Sequence, residues 1–415
     1  MEYGLIGEKL GHSFSKTIHE MIADYKYELK EIKKEDFDKF MKEKDFKCIN
    51  VTIPYKKDVI PYLDFISEEA KKIGAVNTII NKDGKLYGYN TDYYGLKLLI
   101  EKQKVDLKNK NVLILGTGGT SLTSKAVLKD LGVNKIYQAS RQKDDEFISY
   151  DEIYDLDINY IVNTTPIGMF PNNSGKLIDI NRFKNLIGLV DVIYNPLNTN
   201  LVLDAKELDL KANGGLYMLI AQAVYAIKLF KDMDIDDSII DKVYQNMLKE
   251  KLNIVLIGMP SCGKSVVGRN LSKKLNKELF DTDTLIEEKI NMEIKDYIKS
   301  NGEAKFREIE KEVVSEVSKN NNIIISTGGG VILNKENITN LKQNGIVIFI
   351  DRPLELLTPT ISRPLTSNIM DLERKYNERI DLYRNYSDIT VMNNKSIDDV
   401  VKKIMEVYNF EIIGY

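Results

Sequence analysis

Short apolar segments alternate with longer amphipathic segments along the whole chain. Runs of five or six apolar residues suit buried strands, and the longer segments repeat their apolar residues at helical spacing. Two of the predicted strands end in glycine-rich turns, at 111–121 and 253–265. This alternation is typical of parallel α/β domains, so the pattern predicts an α/β protein.

The length of the chain and the position of these turns predict three α/β units. A chain of 415 residues exceeds one ordinary domain. We expect residues 1–103 to form one unit, completed by a helical segment near 216–248 that is apolar enough to pack on a core. Residues 104–215 would form a second unit around the first turn, and residues 251–415 a third around the second turn. The charged helical stretch at 236–251 is expected to lead into a linker.

Composition excludes several classes of function. The net charge of −3 argues against a nucleic-acid-binding surface, which needs concentrated positive charge. Two cysteines, Cys48 and Cys262, and two histidines, His12 and His19, cannot form a disulfide framework or a Cys/His metal centre. The chain shows no signal peptide, and its apolar runs are shorter than the roughly 20 residues of a membrane span. We therefore expect a cytoplasmic protein without nucleic-acid or membrane partners; an oligomer is compatible with the sequence, which does not specify one.

The first glycine-rich turn has the context of a dinucleotide-binding turn. Gly116, Gly118 and Gly119 follow a strand-like segment and precede a helical one. Glycines at such a turn let the backbone approach a pyrophosphate at the helix N-terminus. Ser121 occupies the third position of the usual glycine pattern, so an ordinary strand-to-helix turn is the alternative.

The end of the next predicted strand indicates which dinucleotide would bind. Ser140 and Arg141 stand where NAD enzymes usually place an acidic residue for the ribose hydroxyls. An arginine there suits the 2′-phosphate of NADP, so NADP(H) is favoured over NAD. A solvated loop arginine is the alternative.

Several polar clusters flank the predicted strands of the first half. Taken singly they are ordinary, because a lysine after a strand is usually solvated and an NTD sequence usually caps a helix. The clusters are HSFSK at 12–16, NVTIPYKK at 50–57, GAVNTI at 74–79, GYNTDYYG at 88–95, NTTPIGM at 163–169, DVIYNP at 191–196 and GGLYMLIAQA at 214–223. In this order they resemble the shikimate dehydrogenase family over residues 3–248.

The resemblance implies a substrate-binding domain, a Rossmann-like NADP-binding domain and a site for 3-dehydroshikimate and shikimate. It assigns the substrate carboxylate to Ser13, Ser15 and Tyr194, the ring hydroxyls to Thr52, Asn77 and Gln222, and catalysis to Lys56 and Asp92. The chemistry is consistent, because hydride transfer to a ketone leaves an alkoxide that a lysine ammonium can protonate. Asp92 would orient Lys56 and stabilise its charge. The alternative, in which Lys56 only binds and water supplies the proton, stays open.

The second glycine-rich turn satisfies the phosphate-binding P-loop pattern. In GMPSCGKS at 258–265 the backbone amides would surround the phosphates of ATP, and the side chains of Lys264 and Ser265 would reach the phosphates and Mg²⁺. The predicted ATP-binding residues are Gly258, Ser261, Cys262, Gly263, Lys264 and Ser265. Cys262 invites two interpretations: an oxidisable thiol beside helix-start amides or, as we favour, a small residue.

Acidic, basic and glycine residues recur after the P-loop in a specific order. Asp281 and Asp283 stand two apart, which predicts that they share one side of an extended strand end. The other candidates are Arg307 on a predicted helix, Gly328, Gly329 and Gly330 after a strand, and Arg363, Arg379 and Arg384. Each has an ordinary alternative as a cap, a solvated arginine or a turn. As a set they resemble the shikimate kinase family over residues 252–408.

This second resemblance implies a P-loop kinase domain and a role for each candidate. Asp281 would support the Mg²⁺ shell, and Asp283 would contact the ring hydroxyls and act as base. The carboxylate would be held by Arg307 and Arg379, the ring by Gly328, Gly329 and Gly330, and the γ-phosphoryl group by Arg363 of a lid at 355–368. Family lids often carry a further arginine, and 353–362 has none, which predicts weakened kinase turnover.

Together the motifs predict a bifunctional enzyme of aromatic amino-acid biosynthesis. The first half would reduce 3-dehydroshikimate with NADPH, and the second would phosphorylate shikimate with ATP and Mg²⁺. The alternative is a dehydrogenase that prefers quinate or NAD, fused to a weakly active or non-catalytic nucleotide-binding module. A nucleic-acid-binding P-loop protein is disfavoured, because the chain has no basic stripe interleaved with aromatic residues.

Overall fold

The computed structural model describes residues 1–11, 14–141, 146–357 and 369–414. The chain divides into two compact units, Met1–Tyr244 and Gln245–Tyr415. Among the described residues, no helix is both long and apolar enough to cross a membrane.

The first sheet lies in the N-terminal part of the first unit. Its strands and associated helices are β1 (Tyr3–Gly7), α1 (Ser15–Ile22), β2 (Tyr27–Glu31), α2 (Lys34–Glu43), β3 (Cys48–Val51), β4 (Phe65–Ile66), α3 (Glu68–Ile73), β5 (Thr78–Lys82), β6 (Lys85–Tyr89) and α4 (Asp92–Lys102). The strand order is β2-β1-β3-β5-β6-β4. β5 runs antiparallel to β3 and to β6, and Asp83 and Gly84, both with positive φ, join β5 to β6 in a tight hairpin. The sheet is therefore mixed, unlike the purely parallel arrangement that the alternating pattern predicts.

The second sheet contains the first glycine-rich turn. Its elements are β7 (Asn111–Leu115), α5 (Gly119–Asp130), β8 (Lys135–Ala139), β9 (Tyr160–Asn163), β10 (Gly188–Asp191), α6 (Asn200–Glu207) and β11 (Lys211–Asn213). The strands are parallel in the order β11-β10-β9-β7-β8. β7 pairs with β8 on one side and β9 on the other, so the strand order reverses beside the glycine turn. Ligands of open α/β sheets bind at such a reversal.

Two helices follow the second sheet. α7 (Leu216–Lys231) is apolar and mostly buried, and it packs against α1, α4 and β5. The apolar segment is therefore buried against elements of the first part of the chain, while the predicted domain assignment of 216–248 stays a prediction. α8 (Ser238–Lys251) is the predicted charged helix, and the boundary between the compact units falls within it. Only Leu252 separates α8 from the next strand, so the predicted linker is wrong.

The third sheet occupies the second unit. Its elements are β12 (Asn253–Ile257), α9 (Lys264–Leu275), β13 (Leu279–Asp281), α10 (Thr282–Ile290), α11 (Ile294–Asn301), α12 (Glu303–Val317), β14 (Ile324–Ser326), α13 (Lys335–Asn344), β15 (Gly345–Asp351), α14 (Ile369–Tyr386), β16 (Ile389–Met392) and α15 (Ile397–Gly414). The strands are parallel in the order β13-β14-β12-β15-β16. The P-loop therefore leaves the carboxyl end of the central strand.

Candidate active sites

A cavity of about 290 Å³ in the first unit collects the predicted dehydrogenase residues. Seven of the predicted substrate and catalytic residues line it: Ser15, Thr52, Lys56, Asn77, Asp92, Tyr194 and Gln222. Residues that the sequence analysis missed also line it, among them Lys9, Asn50, Thr120, Met218 and Leu219. Ser13 lies outside the described residues. The cavity therefore unites segments that are far apart in sequence.

The predicted catalytic pair is assembled at the wall of this cavity. Lys56 Nζ donates to Asp92 Oδ2 at 2.6 Å, and the two side chains are 20% and 13% exposed. Asp92 is the first residue of α4, where the helix dipole favours a carboxylate. The ammonium is thus held in place while it stays accessible from the cavity.

A buried hydrogen-bond network positions Asn77 and Gln222. Asn77 Oδ1 accepts from the Thr91 amide at 2.7 Å, and Asn77 Nδ2 donates to Thr91 Oγ1 at 3.1 Å. Thr91 Oγ1 lies 3.4 Å from Gln222 Oε1. Thr78 Oγ1 donates to Asn77 Oδ1 at 3.0 Å. The network ties α4 and α7 to β5, so the two amide side chains are held by the strands and helices around the cavity. Thr91 stands inside the NTD motif, yet its sequence alone suggests only a cap.

The first glycine-rich turn leaves open space where a ligand phosphate could approach. Gly116 has φ of 99°, and an added Cβ would meet Thr164 and Thr165. Gly118 precedes α5 and Gly119 begins it, and an added Cβ at either position would meet no described atom within 4 Å. The first glycine is therefore required by the turn, whereas the next two keep the helix N-terminus uncovered. This geometry fits the pyrophosphate of a dinucleotide.

The residue that replaces the third glycine has a structural role. Ser121 is buried, and its hydroxyl donates to the Gly118 carbonyl at 2.7 Å. Gln138 Nε2 on β8 donates to the Gly116 carbonyl at 2.7 Å. Ser140 and Arg141 follow β8 beside the turn, and Arg141 is exposed. An exposed arginine at this place can meet a 2′-phosphate.

A buried carboxylate organises the chain before Tyr194. Asp191, at the end of β10, accepts from Thr199 Oγ1 at 2.7 Å and from the Ile193 amide at 3.1 Å. Burial raises the pKa of Asp191 to about 6, while the hydrogen bonds from Asn163, Thr199 and Ile193 oppose that rise in pKa. Burial also raises the pKa of Tyr194. The sequence analysis missed Asp191 because an acidic residue after a strand is usually solvated.

In the P-loop of the second unit, backbone carbonyls accept hydrogen bonds from the lysine of the loop. Positive φ values at Gly258, Ser261 and Gly263 shape the loop. Lys264 Nζ donates to the Gly258 carbonyl at 2.9 Å and to the Met259 carbonyl at 3.0 Å. The ammonium therefore lies inside the loop, where phosphates of a nucleotide would offer it stronger, charged acceptors.

The side chains that suit Mg²⁺ adjoin the P-loop. Ser265 Oγ donates to Asp281 Oδ2 at 2.9 Å. Mg²⁺ prefers oxygen ligands and is commonly held by one or two carboxylates together with substrate phosphates. The described residues contain no group of three or more His, Cys, Asp or Glu that could hold a metal by themselves. A serine and an aspartate next to a phosphate loop therefore fit this cation.

The two aspartates do not lie on one extended strand. β13 ends at Asp281, α10 begins at Thr282, and the Asp283 amide donates to Asp281 Oδ1 at 3.1 Å. Asp281 is thus an N-cap, and Asp283 stands in the first helical turn. The predicted strand geometry is wrong because capping starts the helix between the two residues. Asp283 instead faces Gly328, where an added Cβ would lie 2.5 Å from its Oδ1.

Arg307 is held between two carboxylates. It donates to Glu303 Oε1 at 2.7 Å and to Glu310 Oε2 at 2.9 Å. Its guanidinium also lies against Gly330, where an added Cβ would overlap it. Glu310 is 1% exposed, and burial raises its pKa while Arg307 opposes the shift. Glu310 was missed, although its spacing of three residues from Arg307 on α12 was a usable signal.

The glycine turn after β14 receives two side chains from α14. Arg379 Nη1 donates to the Gly329 carbonyl at 3.1 Å, and Tyr383 Oη donates to the same oxygen at 2.5 Å. Arg379 is buried, and its Nε has no partner among the described residues. An added Cβ at Gly329 would meet Pro260. The turn therefore joins the P-loop and the predicted carboxylate clamp.

Two further predictions concern the P-loop thiol and the lid. Cys262 is fully buried, and Asn393 Nδ2 donates to its carbonyl at 2.7 Å. Burial favours the interpretation of Cys262 as a small packing residue. Arg363 and most of the predicted lid, 358–368, lie outside the described residues.

Comparisons with known proteins find similar proteins for both units. The family model of the shikimate dehydrogenase substrate binding domain matches residues 5–79, and that of shikimate kinase matches residues 260–409. The NADP(+)-dependent shikimate dehydrogenase of Clostridium beijerinckii is 41% identical over 259 residues, which cover 58% of this chain and 96% of the relative.

Solved structures extend the similarity across the first unit. Shikimate dehydrogenase 1 from Peptoclostridium difficile matches with a TM-score of 0.56 and 39% identity, over 60% of this chain and 98% of that one. A chorismate mutase/shikimate 5-dehydrogenase fusion protein from Clostridium acetobutylicum matches with a TM-score of 0.56 and 39% identity, over 59% of this chain and 96% of that one. The chain therefore belongs to the shikimate dehydrogenase family and continues into a domain of the shikimate kinase family.

Proposed function

We propose that the first unit reduces 3-dehydroshikimate to shikimate with NADPH, and that the second transfers a phosphoryl group from ATP to shikimate. The observation that carries the first reaction is the Lys56–Asp92 pair, 2.6 Å apart, in a cavity lined by the predicted substrate residues. The observation that carries the second is a P-loop next to Asp283, Arg307 and Arg379.

For the reduction, NADPH supplies a hydride and Lys56 supplies the proton. Asp92 keeps the ammonium oriented toward the cavity, so that the alkoxide formed from the ketone is protonated as it forms. In the reverse direction the neutral amine accepts the proton from the substrate hydroxyl. Ser15 and Tyr194 bind the carboxylate, and Thr52, Asn77 and Gln222 bind the ring hydroxyls. Ser13 belongs to the same proposal.

NADP(H) would bind along the turn at Gly116, Gly118 and Gly119. The uncovered amides at the start of α5 suit the pyrophosphate, and Ser140 with Arg141 suits the 2′-phosphate. We assign the substrate-binding domain to 1–103 with 216–248, and the NADP-binding domain to 104–215. The first and second sheets support this division.

For the phosphorylation, the residues of the second unit position and compensate charge. Lys264 would exchange its loop carbonyls for the phosphates of ATP, and Ser265 and Asp281 would hold Mg²⁺, which would supply charge neutralisation of the phosphates. Asp283 accepts the proton of the attacking hydroxyl. Arg307 and Arg379 hold the substrate carboxylate, as planar guanidinium groups do well. Gly328, Gly329 and Gly330 form the backbone side of this site, and Arg363 belongs to the lid.

We assign residues 251–415 to the kinase domain.

We also infer a cytoplasmic location for the protein. NADPH and ATP, which the two reactions consume, are both abundant in that compartment. Cys48 and Cys262 are free and buried, as suits a reducing environment.

Substrate and cofactor comparison tests the first reaction against its alternative. We would measure kcat/KM for oxidation of shikimate and quinate, each with NADP⁺ and NAD⁺. The proposal expects the highest kcat/KM for shikimate with NADP⁺. Arg141→Ala should lower kcat/KM with NADP⁺ and leave kcat/KM with NAD⁺ unchanged. A preference for quinate or NAD⁺ in the parent protein would contradict the proposal.

A further inference from the structure

One face of α14 carries a cation that the proposed roles do not use. Lys375, Arg379 and Tyr383 are four residues apart, so they lie on one side of the helix. Their exposed fractions are 6%, 6% and 0%. Arg379 and Tyr383 both donate to the Gly329 carbonyl, which shows that this face is directed at the glycine turn. Lys375 is the next residue along the same face.

Lys375 is buried without an acceptor among the described residues. The charged groups that influence it are Arg379 and Arg374 on its own helix and Glu303 and Arg307 on α12. Burial and the nearby Arg379 lower its pKa to about 8. Glu303 is the carboxylate that faces it, and Glu303 already accepts from Arg307 at 2.7 Å. A buried ammonium costs free energy unless an acceptor compensates it, so the position suits an anionic ligand group.

The surroundings show that this acceptor would be the group held by the two arginines. Arg307 reaches the site from α12, while Arg379 reaches it from α14 one turn after Lys375. Glu310 is occupied by Arg307. Arg374 points outward, with a side chain that is 65% exposed and paired with Asp371. Lys375 is therefore a cation one helical turn from Arg379 that makes no hydrogen bond or ion pair with the described residues.

We propose that Lys375 is a third cation of the carboxylate site in the kinase unit, acting with Arg307 and Arg379 as a binding and specificity residue. The inference rests on the proposed function and adds to it, because it assigns to this site a group that can lose its charge near neutral pH. Arginines stay charged throughout the working range. A carboxylate substrate would bind most tightly while Lys375 is protonated, and more weakly as the pH rises through about 8.

Kinetic measurements of the kinase reaction on the full chain test this role. Lys375→Met removes the charge with little change in volume, and Arg374→Met removes a charge from the exposed side of the same helical turn. We would measure the KM of shikimate and of ATP in the kinase reaction, because the dehydrogenase unit also binds shikimate and a binding isotherm of the full chain would report both sites. The expected result is a KM for shikimate in the kinase reaction raised about tenfold by Lys375→Met. The KM of ATP should change little, and Arg374→Met should behave as the parent does.

The pH profile and an uncharged ligand separate charge from packing. In the kinase reaction the KM of shikimate should rise between pH 7 and pH 9 for the parent, stay flat for Lys375→Met, and stay low at pH 9 for Lys375→Arg. The methyl ester of shikimate, which lacks the negative charge, should have the same KM with the parent and with Lys375→Met.

Each contrary outcome has a separate meaning. An unchanged KM for shikimate in the kinase reaction of folded Lys375→Met, or an equal rise in KM for the methyl ester, would overturn the role of Lys375 alone. A parent protein that does not phosphorylate shikimate would overturn the proposed kinase function, and the inference with it.

Discussion

The two active sites differ in what their cations contact. In the dehydrogenase unit Lys56 contacts Asp92, its proposed catalytic partner, at the wall of the substrate cavity. In the kinase unit Lys264 contacts carbonyls of its own loop, and Arg307 contacts Glu303 and Glu310. The dehydrogenase can bind its substrate with this pair in place. The kinase cations must exchange or share their protein acceptors when phosphates and a carboxylate bind.

This difference explains why the kinase site depends more on its supporting residues. Breaking one hydrogen bond to a charged group costs about 1.5–3 kcal/mol unless another replaces it. The protein acceptors keep the cations satisfied and oriented, and binding then substitutes one set of acceptors for another. Glu310 and Gly330 are therefore as important for Arg307 as the substrate is.

The largest effects are expected from removing one lysine in each unit. Lys56→Met should lower reduction by roughly 10²–10⁴-fold, because the positioned proton donor is lost, and should leave phosphorylation intact. Lys264→Met should abolish phosphorylation and leave reduction intact. Separate assays with NADPH and with ATP check both, and circular dichroism confirms folding. Loss of both activities in either folded variant would disprove independent sites.

A second contrast concerns buried carboxylates, since Glu310 has Arg307 as a partner and Asp191 has only neutral donors. The pKa of Asp191 is raised from 3.8 to about 6, so the folded state binds this proton more tightly than the unfolded state. The stabilisation from protonation is complete below about pH 4 and is lost as the pH rises through about 6. The shift corresponds to about 3 kcal/mol.

Asp191→Asn should remove this dependence of stability on pH. We would follow the unfolding transition that NADP⁺ shifts, between pH 4 and pH 8, in the parent and in Asp191→Asn. The parent should lose stability relative to the variant as the pH rises. Parallel stability curves for the two proteins would show that Asp191 has an ordinary pKa.

Substitution of one glycine in each unit is expected to have smaller effects, which compare the two sites further. Gly330→Ala should displace the Arg307 guanidinium, and we expect the KM of shikimate in the kinase reaction to rise about tenfold, equivalent to one charge-assisted hydrogen bond. Gly118→Ala places its Cβ in open space at ordinary backbone angles, so folding should be unaffected while the KM of NADPH rises. Steady-state kinetics of both reactions check the pair. An unaltered shikimate KM in Gly330→Ala would refute the packing argument.

The smallest effect is expected from the network behind the dehydrogenase cavity. Thr91→Val keeps the shape of the side chain but removes the hydroxyl that contacts Asn77 and lies near Gln222. We expect a loss of about 1 kcal/mol in the free energy of unfolding and a severalfold increase in the KM of the ketone substrate in the reduction. Val202→Ala, on α6 beside the second sheet, is a control that lowers stability without changing this KM. Equal effects of both variants on KM would assign Thr91 to stability alone.

Sequence patterns predicted most of the framework, because strands, glycine turns and capped helices are local features. The P-loop, the helix after each glycine turn and the buried helix α7 all follow from such patterns. The mixed first sheet did not, because the hairpin at Asp83 and Gly84 is a two-residue signal inside an otherwise alternating chain. The direct connection from α8 to β12 was also not predicted, since a charged sequence alone does not show whether a helix is followed by a linker.

Candidate site residues could be named from sequence where a family motif contains them. They were hard to name where their environment depends on burial in the folded chain. Lys56 and Asp92 belong to quoted motifs, and the structure places them in contact. Lys375 looks like an ordinary surface residue in sequence, and Asp191 stands in the motif at 191–196 without a predicted role, because the buried face of α14 and the depth of β10 depend on tertiary packing. The geometry of Asp283 was misjudged, because a cap at Asp281 replaces strand spacing with helix spacing.

One assay tests the central claim most directly. The purified chain is mixed with 3-dehydroshikimate, NADPH, ATP and Mg²⁺, NADPH absorbance is followed, and the products are identified by mass spectrometry. Two active units in one chain predict NADPH consumption and accumulation of shikimate 3-phosphate. Consumption of NADPH with accumulation of unphosphorylated shikimate would contradict the account, because the second unit would then lack the kinase activity that its P-loop and carboxylate clamp imply.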